Sequence, residues 1–280
     1  MAISVVQSKM VADAASGSFT TPTQAGNTVV VVVGTGNASN VTQTITGITL
    51  GGSAGNFAQA EATQSAFQSG TGTATVMIWG DPNCAGGQTA IAISGTNLNL
   101  GAATGNGWVA YEIAGLLSTS TLSVMLDTAH THNSGITGTA VSTGTTGTTT
   151  QANAIALGVL ISFVTLSGFT GSFTTTQIND GSGTFGSGAE QILSSTGTQS
   201  YGATAASSTV WAGAVVTLLG APAAPALMRS PAVPPGRQSP MAWQRATPPA
   251  PAQPPAQQPV QLPGLLPSSP STAVMDGSLW

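Results

Sequence analysis

Proline divides this chain in two. Of its 17 prolines, only Pro22 and Pro82 fall within residues 1–220, and the other fifteen crowd into residues 221–280. Proline removes a backbone donor and fixes φ, so a segment containing PPGRQSP, ATPPAPAQPPAQQP and LPSSP can build neither a helix interior nor a central strand. Residues 221–280 therefore read as an extended, polyproline-II-like arm, which at ~3.1 Å per residue would reach on the order of 190 Å. The change falls at Gly220-Ala221-Pro222. Residues 1–220 form one domain, of a length that β-sandwiches commonly reach without splitting.

Within that domain, strand signals recur between turn signals. Thr28–Val33 (TVVVVV) is β-branched, bounded by Gly26-Asn27 and Gly34, and continuous enough to be buried on both faces. Further candidates are 3–7, 44–50, 73–79, 89–94, 108–113, 121–126, 154–164 and 209–219. Gly, Asn, Asp and Ser clusters punctuate them, among them Gly105-Asn106-Gly107 and Asn179-Asp180-Gly181-Ser182. Lys, Glu and Arg are scarce while Thr and Gly abound, which leaves only Asn56–Phe67 (NFAQAEATQSAF) with a helical composition. The expectation is all-β: an antiparallel β-sandwich or jelly roll. A faint two-part echo runs through it. Each half has a long apolar strand (Val29–Val33; Ile155–Val164), a Gly-rich meander and a Trp-bearing strand near its end. No period is clean enough to name a repeat, so the halves read as the two sheets of one sandwich.

Charge narrows the function. Charged residues make up 4% of the chain, where ordinary soluble domains carry about 25%. A surface of hydroxyls and amides suits a protein held in an assembly or one facing neutral polar surfaces such as sugars. The longest apolar run, Ala154–Val164, is shorter than the about 20 residues a membrane-spanning helix needs. Residues 1–220 hold a single basic side chain, Lys9, against seven acidic ones, which excludes a phosphate-binding face for nucleic acid. The lone Cys84 makes no intrachain disulfide. The N-terminus, MAISVVQSKMVADAAS, lacks the basic region of a Sec signal, so a protein acting outside its producing cell would leave by lysis or another route.

The motif matches fail on context, and the chain is read as a non-enzyme with no cofactor. Gly51-Gly52-Ser53-Ala54-Gly55 fits G-x-S-x-G, with Asp127 and His130 following in the order of an α/β-hydrolase triad, but that motif needs a strand–turn–helix. It reads as a glycine turn. His130-Thr131-His132 would set two imidazoles on one face of a strand, with Asp127 as a third ligand for zinc or nickel. The alternative is a pair of solvated loop histidines. Asn179–Gly183 lacks the closing Glu of a calcium loop, and Gly34-Thr35-Gly36-Asn37 lacks the third glycine of a dinucleotide fold. Glu61, Asp81, Glu112 and Glu190 are scattered, and nothing in the sequence pairs them. Trp79, Trp108, Trp211 and Tyr111 offer a sugar-stacking platform, although their apolar strands favour core packing.

The arm holds the more specific pattern. Arg229, Arg237 and Arg245 are three of the chain's four basic residues, interleaved with Met228, Met241 and Trp243, and the chain ends in Leu279-Trp280. Aromatic and Arg anchors on a pre-extended segment fit groove binding, so Arg229, Arg237, Met241, Trp243, Arg245, Leu279 and Trp280 are the candidate partner-binding residues. The stretches AGNTVVVVV, ITGITLGG, WVAYEIAGL, ANAIALGVLIS and SSTVWAGAVVTLLG, with the arm RSPAVPPGRQSPMAWQRA, resemble β-sandwich virion proteins of tailed phages of actinobacteria, those described as minor tail proteins. The resemblance covers nearly the whole chain and carries no active site. It implies a structural virion protein at the tail or tail tip, associated with other virion subunits and homo-oligomeric, with a host cell-surface glycan as a further partner. The alternatives are a capsid decoration protein or head fibre, a carbohydrate-binding adhesin module, and a hydrolase built on Ser53.

Overall fold

A computed structural model describes residues 2–101, 105–178 and 184–222, apart from the Phe185 side chain. Met1–Ala226 forms one compact unit, and the candidate arm residues from Arg229 to Trp280 lie outside the described residues. The described chain is all-β: β1 (Ser4–Ala12), β2 (Ser16–Ser18), β3 (Thr28–Asn37), β4 (Thr44–Leu50), β5 (Ala58–Gln68), β6 (Gly72–Asp81), β7 (Ala90–Thr96) and β8 (Gly107–Ala114), then one short helix, α1 (Leu122–Met125), and β9 (Thr131–Gly135), β10 (Ala140–Ser142), β11 (Ala154–Ser162), β12 (Leu166–Thr170), β13 (Thr174–Ile178), β14 (Phe185–Leu193), β15 (Gly202–Ala205) and β16 (Trp211–Leu219). Every strand pairing is antiparallel.

The two-part echo in the sequence is an internal duplication of topology. The first half builds a five-stranded sheet in the order β1-β8-β3-β6-β5 and a three-stranded sheet β2-β7-β4. The second half builds β9-β16-β11-β14-β13 and β10-β15-β12, the same two orders advanced by eight strands. Pairing strand 1 with 8, 2 with 7 and 3 with 6, with 8 beside 3, is jelly-roll connectivity. The departure is strand 5, which joins strand 6 in the large sheet instead of strand 4 in the small one. So the halves are not the two sheets of one sandwich, as the sequence led us to expect. Each is a sandwich of its own, and the two share a core.

That core decides the arrangement. Alternation along β3 sends Val30 and Val32 into a cluster with Ile155, Leu157, Val159 and Ile161 of β11, so the two large sheets face each other. Val29, Val31 and Val33 point the other way, onto Ile48, Leu50, Ile91 and Ile93 of the first small sheet. Leu160 and Trp211 likewise meet Val141, Leu166, Tyr201 and Ala203 beneath the second small sheet. The order is small, large, large, small. A strand buried on both faces needs an unbroken apolar run, and this is why β3 and β11 read as they do. The layer between the halves is apolar like a domain interior, unlike the more polar surfaces between loosely docked domains.

Two expectations are corrected. Asn56–Phe67 is not helical: residues 58–68 form edge strand β5 against β6, whose open edge outweighs a weak Ala/Gln helical preference. Residues 121–126 are not a strand, because α1 buries Leu122 and Met125, three apart on one helical face, in the central core and leaves Val124 56% exposed. The Leu122 side chain fits only because Gly80 lies beneath it; a Cβ there would stand 2.9 Å from Leu122 Cδ1. Ala221 N donates to Gly115 O at 2.9 Å and Asn153 Nδ2 to Ala221 O at 2.8 Å, just before Pro222.

Candidate functional site

The histidine pair lies at the seam between the two large sheets, where edge strand β5 meets edge strand β9. Register shifts flank Glu61 in β5, and they turn consecutive residues Ala60 and Glu61 inward together. Glu61 Oε2 lies 2.5 Å from His130 Nδ1 and Oε1 lies 2.9 Å from His132 Nδ1. The carboxylate is nearly buried, while both imidazoles are about half exposed. In both rings Nδ1 is the nitrogen that faces the carboxylate. Gln64 Nε2 donates to Ser134 Oγ at 2.5 Å beside them, and the cluster clasps the two halves together.

Asp127, the third ligand suggested by the sequence, is not part of this cluster. Its buried carboxylate accepts Ala129 N at 3.2 Å, Thr150 N at 2.8 Å and Thr150 Oγ1 at 2.9 Å. Among the described residues no three His, Cys, Asp or Glu side chains are placed to hold a metal ion. Glu61, which the sequence left unpaired, is the carboxylate that joins the two histidines. A partner 69 residues away, on the other half of a duplicated fold, leaves no local signal.

Ser53 sits in a tight turn, with Leu50 N donating to Ser53 O at 2.8 Å and Ser53 N to Leu50 O at 3.2 Å. Gly51, Gly52 and Gly55 hold positive φ there, and no helix follows. His130 bonds Glu61 and Asp127 bonds Thr150, so the two residues that follow Ser53 in chain order are not joined to it. Glu112, fully buried, accepts Gln7 Nε2, Gln24 N and Asn27 Nδ2 at 2.6–2.7 Å and pins the loop between β2 and β3. Burial first, then the charges of Glu112 and Asp81, push the Cys84 thiol up to about 11, so it is an inert core thiol. The aromatic platform is also absent. Trp108 and Tyr111 are fully buried, Trp211 is nearly so, and Trp79 packs half-buried in the first small-sheet core. The Trp108 indole N–H donates to Ala14 O at 2.9 Å.

One arrangement the sequence reading missed lies at the corner where the second half's ribbon passes from small to large sheet. Residues 143–150 read TGTTGTTT, and Thr143, Thr146 and Thr149 are buried. Their backbone N–H groups donate to the carbonyls of Tyr201, Gln199 and Gly197 at 2.9–3.0 Å. The N–H groups of those same three residues return bonds to the three threonine hydroxyls at 2.8–3.1 Å. Three residues on one side match two on the other, a bulge at each step. The period-three threonine pattern was the available signal. Asp127 closes this ladder at Thr150.

The ladder braces segment 194–200, whose opposite side lines a trough of about 380 Å³ with Gly171, Ser172 and Gln191–Leu193. Gly171 holds φ 84°, and a Cβ there would stand 2.6 Å from Ser200 O, so only glycine lets the β12–β13 turn touch this wall. Ser172, Gln191 and Ile192 also line a recess of about 550 Å³ between β1 and the β13–β14 pair. Glu190 is in that recess. Burial lifts its carboxyl to about 7, and among the described residues no cation pairs with it.

Comparison with family models, curated proteins and solved structures returns no match to this chain.

Proposed function

We propose that this chain is a non-enzymatic structural protein of a tailed-phage particle, a minor component associated with the tail, in which the double sandwich is a rigid block and residues 221–280 are the attachment segment. The observation that carries the reading is the 3-5-5-3 stack itself: two jelly rolls of one topology sharing a core, with Glu61, Glu112 and Asp127 engaged in structural bonds. Jelly rolls recur in viral coats and lectins, an analogy of fold that supports a scaffold or binding role. The low charge supports it further, since neutral polar surfaces suit close packing among subunits. The Arg, Met and Trp anchors between Arg229 and Trp280 supply the chemistry for gripping a neighbouring subunit.

The test is direct. Mass spectrometry of purified particles should detect the chain, and cryo-EM should place it on the tail. Deleting residues 223–280 should yield particles lacking the protein. A chain absent from particles, or a truncated chain that incorporates normally, refutes the proposal.

A further inference from the structure

We propose that the trough between the β12–β13 turn and segment 194–200, continued into the recess beside Glu190, binds a neutral saccharide chain.

The lining chemistry selects the ligand class. Ser172, Ser194, Ser195, Thr196, Thr198 and Gln191 present hydroxyl and amide groups, and among the described residues no Lys, Arg or His lines either cavity. Such a wall exchanges hydrogen bonds with a polyol and presents no cation to phosphate, sulfate or uronate groups. The single charge is the Glu190 carboxyl, half-buried without a counter-ion. It would accept charge-assisted hydrogen bonds from vicinal sugar hydroxyls and would repel an anionic sugar. Ile192, with half its surface exposed, gives an apolar patch on the floor against which the C–H face of a pyranose can lie.

The site is built before any ligand arrives. One wall is fixed by the Thr143/Thr146/Thr149 ladder and the other by the Gly171–Ser200 contact, so little ordering is left to oppose binding. Volumes of about 380 and 550 Å³ fall in the range of small-ligand sites, and Ser172, Gln191 and Ile192 line both. The corresponding corner of the first half is built differently, by pairing of residues 19–27 with 84–89, and it lacks the threonine ladder. The inference does not depend on the virion reading, since saccharide binding can be measured on the isolated full-length chain.

The experiment is an array of defined neutral and acidic oligosaccharides probed with the full-length protein, followed by calorimetric titration of the best-bound neutral glycan. Binding should be confined to neutral glycans. Gln191→Ala combined with Ser195→Ala should weaken it ~10-fold or more, as expected for losing hydrogen bonds worth about 1 kcal/mol each. Glu190→Gln should weaken it several-fold. Ser94→Ala, on the opposite small sheet, should have no effect, and all variants should unfold within a few degrees of the parent. No neutral glycan bound at millimolar concentration, a preference for acidic glycans, or an affinity indifferent to the trough variants overturns the proposal. So does displacement of the glycan by a proline-rich peptide of the chain's own residues 221–250, which would make the trough a peptide groove.

Discussion

Replacing Thr146 by Val isolates the hydroxyl of the threonine ladder. Thr146 is 4% exposed, its Oγ1 accepts Gln199 N–H at 2.8 Å, and it donates to Gly147 O at 2.7 Å. Valine keeps the shape and the Thr146 N–H bond to Gln199 O. What is lost is the acceptor for a buried amide, and an unsatisfied buried donor costs about 1–3 kcal/mol. The exposed Gly147 carbonyl turns to water at little cost. Burying one more methyl returns roughly 0.8 kcal/mol. The net loss is then about 1–2 kcal/mol, which for a domain of this size lowers Tm by roughly 2–8 °C. Urea denaturation with an unchanged m-value measures the same quantity at room temperature. Thr145→Val, exposed one residue earlier, is the control and should stay within about 0.5 kcal/mol of the parent. Faster hydrogen exchange at the Gln199 amide should accompany the Thr146 effect alone. If Thr146→Val and Thr145→Val prove equally stable, the ladder does not brace the trough wall, and the preorganisation argument fails with it.

Three further outcomes follow from the same geometry. The Glu190 carboxyl is raised by burial to about 7, so the folded state binds its proton more tightly than the unfolded chain; stability is full below the ordinary glutamate range and declines as pH rises to about 7. Glu190→Gln should flatten that decline in a Tm-against-pH series and stabilise the domain at pH 8, and an unchanged slope would show the group to be solvated. Replacing both His130 and His132 by Ala strands the buried Glu61 carboxylate and should cost about 1–3 kcal/mol, partly recovered by adding Glu61→Gln; additive losses in the triple variant would show that the clasp carries no coupling. Truncation after Pro222 keeps the Ala221 bonds and should leave Tm within a degree or two, whereas truncation after residue 219, which removes the bonds of residues 220 and 221 to Asn153 and Gly115, should lower it measurably.

Some of this protein is written along the chain. The proline boundary, the all-β class and the doubly buried strands β3 and β11 follow from local rules, because backbone donors, side-chain alternation and β-branching act on neighbours in sequence. Even the duplication left its trace in two apolar strands and two Trp-bearing strands, Trp108 on β8 and Trp211 on β16. The tertiary structure decided what depends on distant partners. The edge of β6 drew residues 58–68 out of a helix, and the bulge at Glu61 brought that carboxylate to histidines about 70 residues away while Asp127 went to Thr150. The pairing of 143–149 with 197–201 and the contact of Gly171 with Ser200 then shaped the trough. Hydrogen bonds between segments so far apart are set by where the core places each strand; the period-three threonines mark one side of the ladder, and nothing in the sequence names the other.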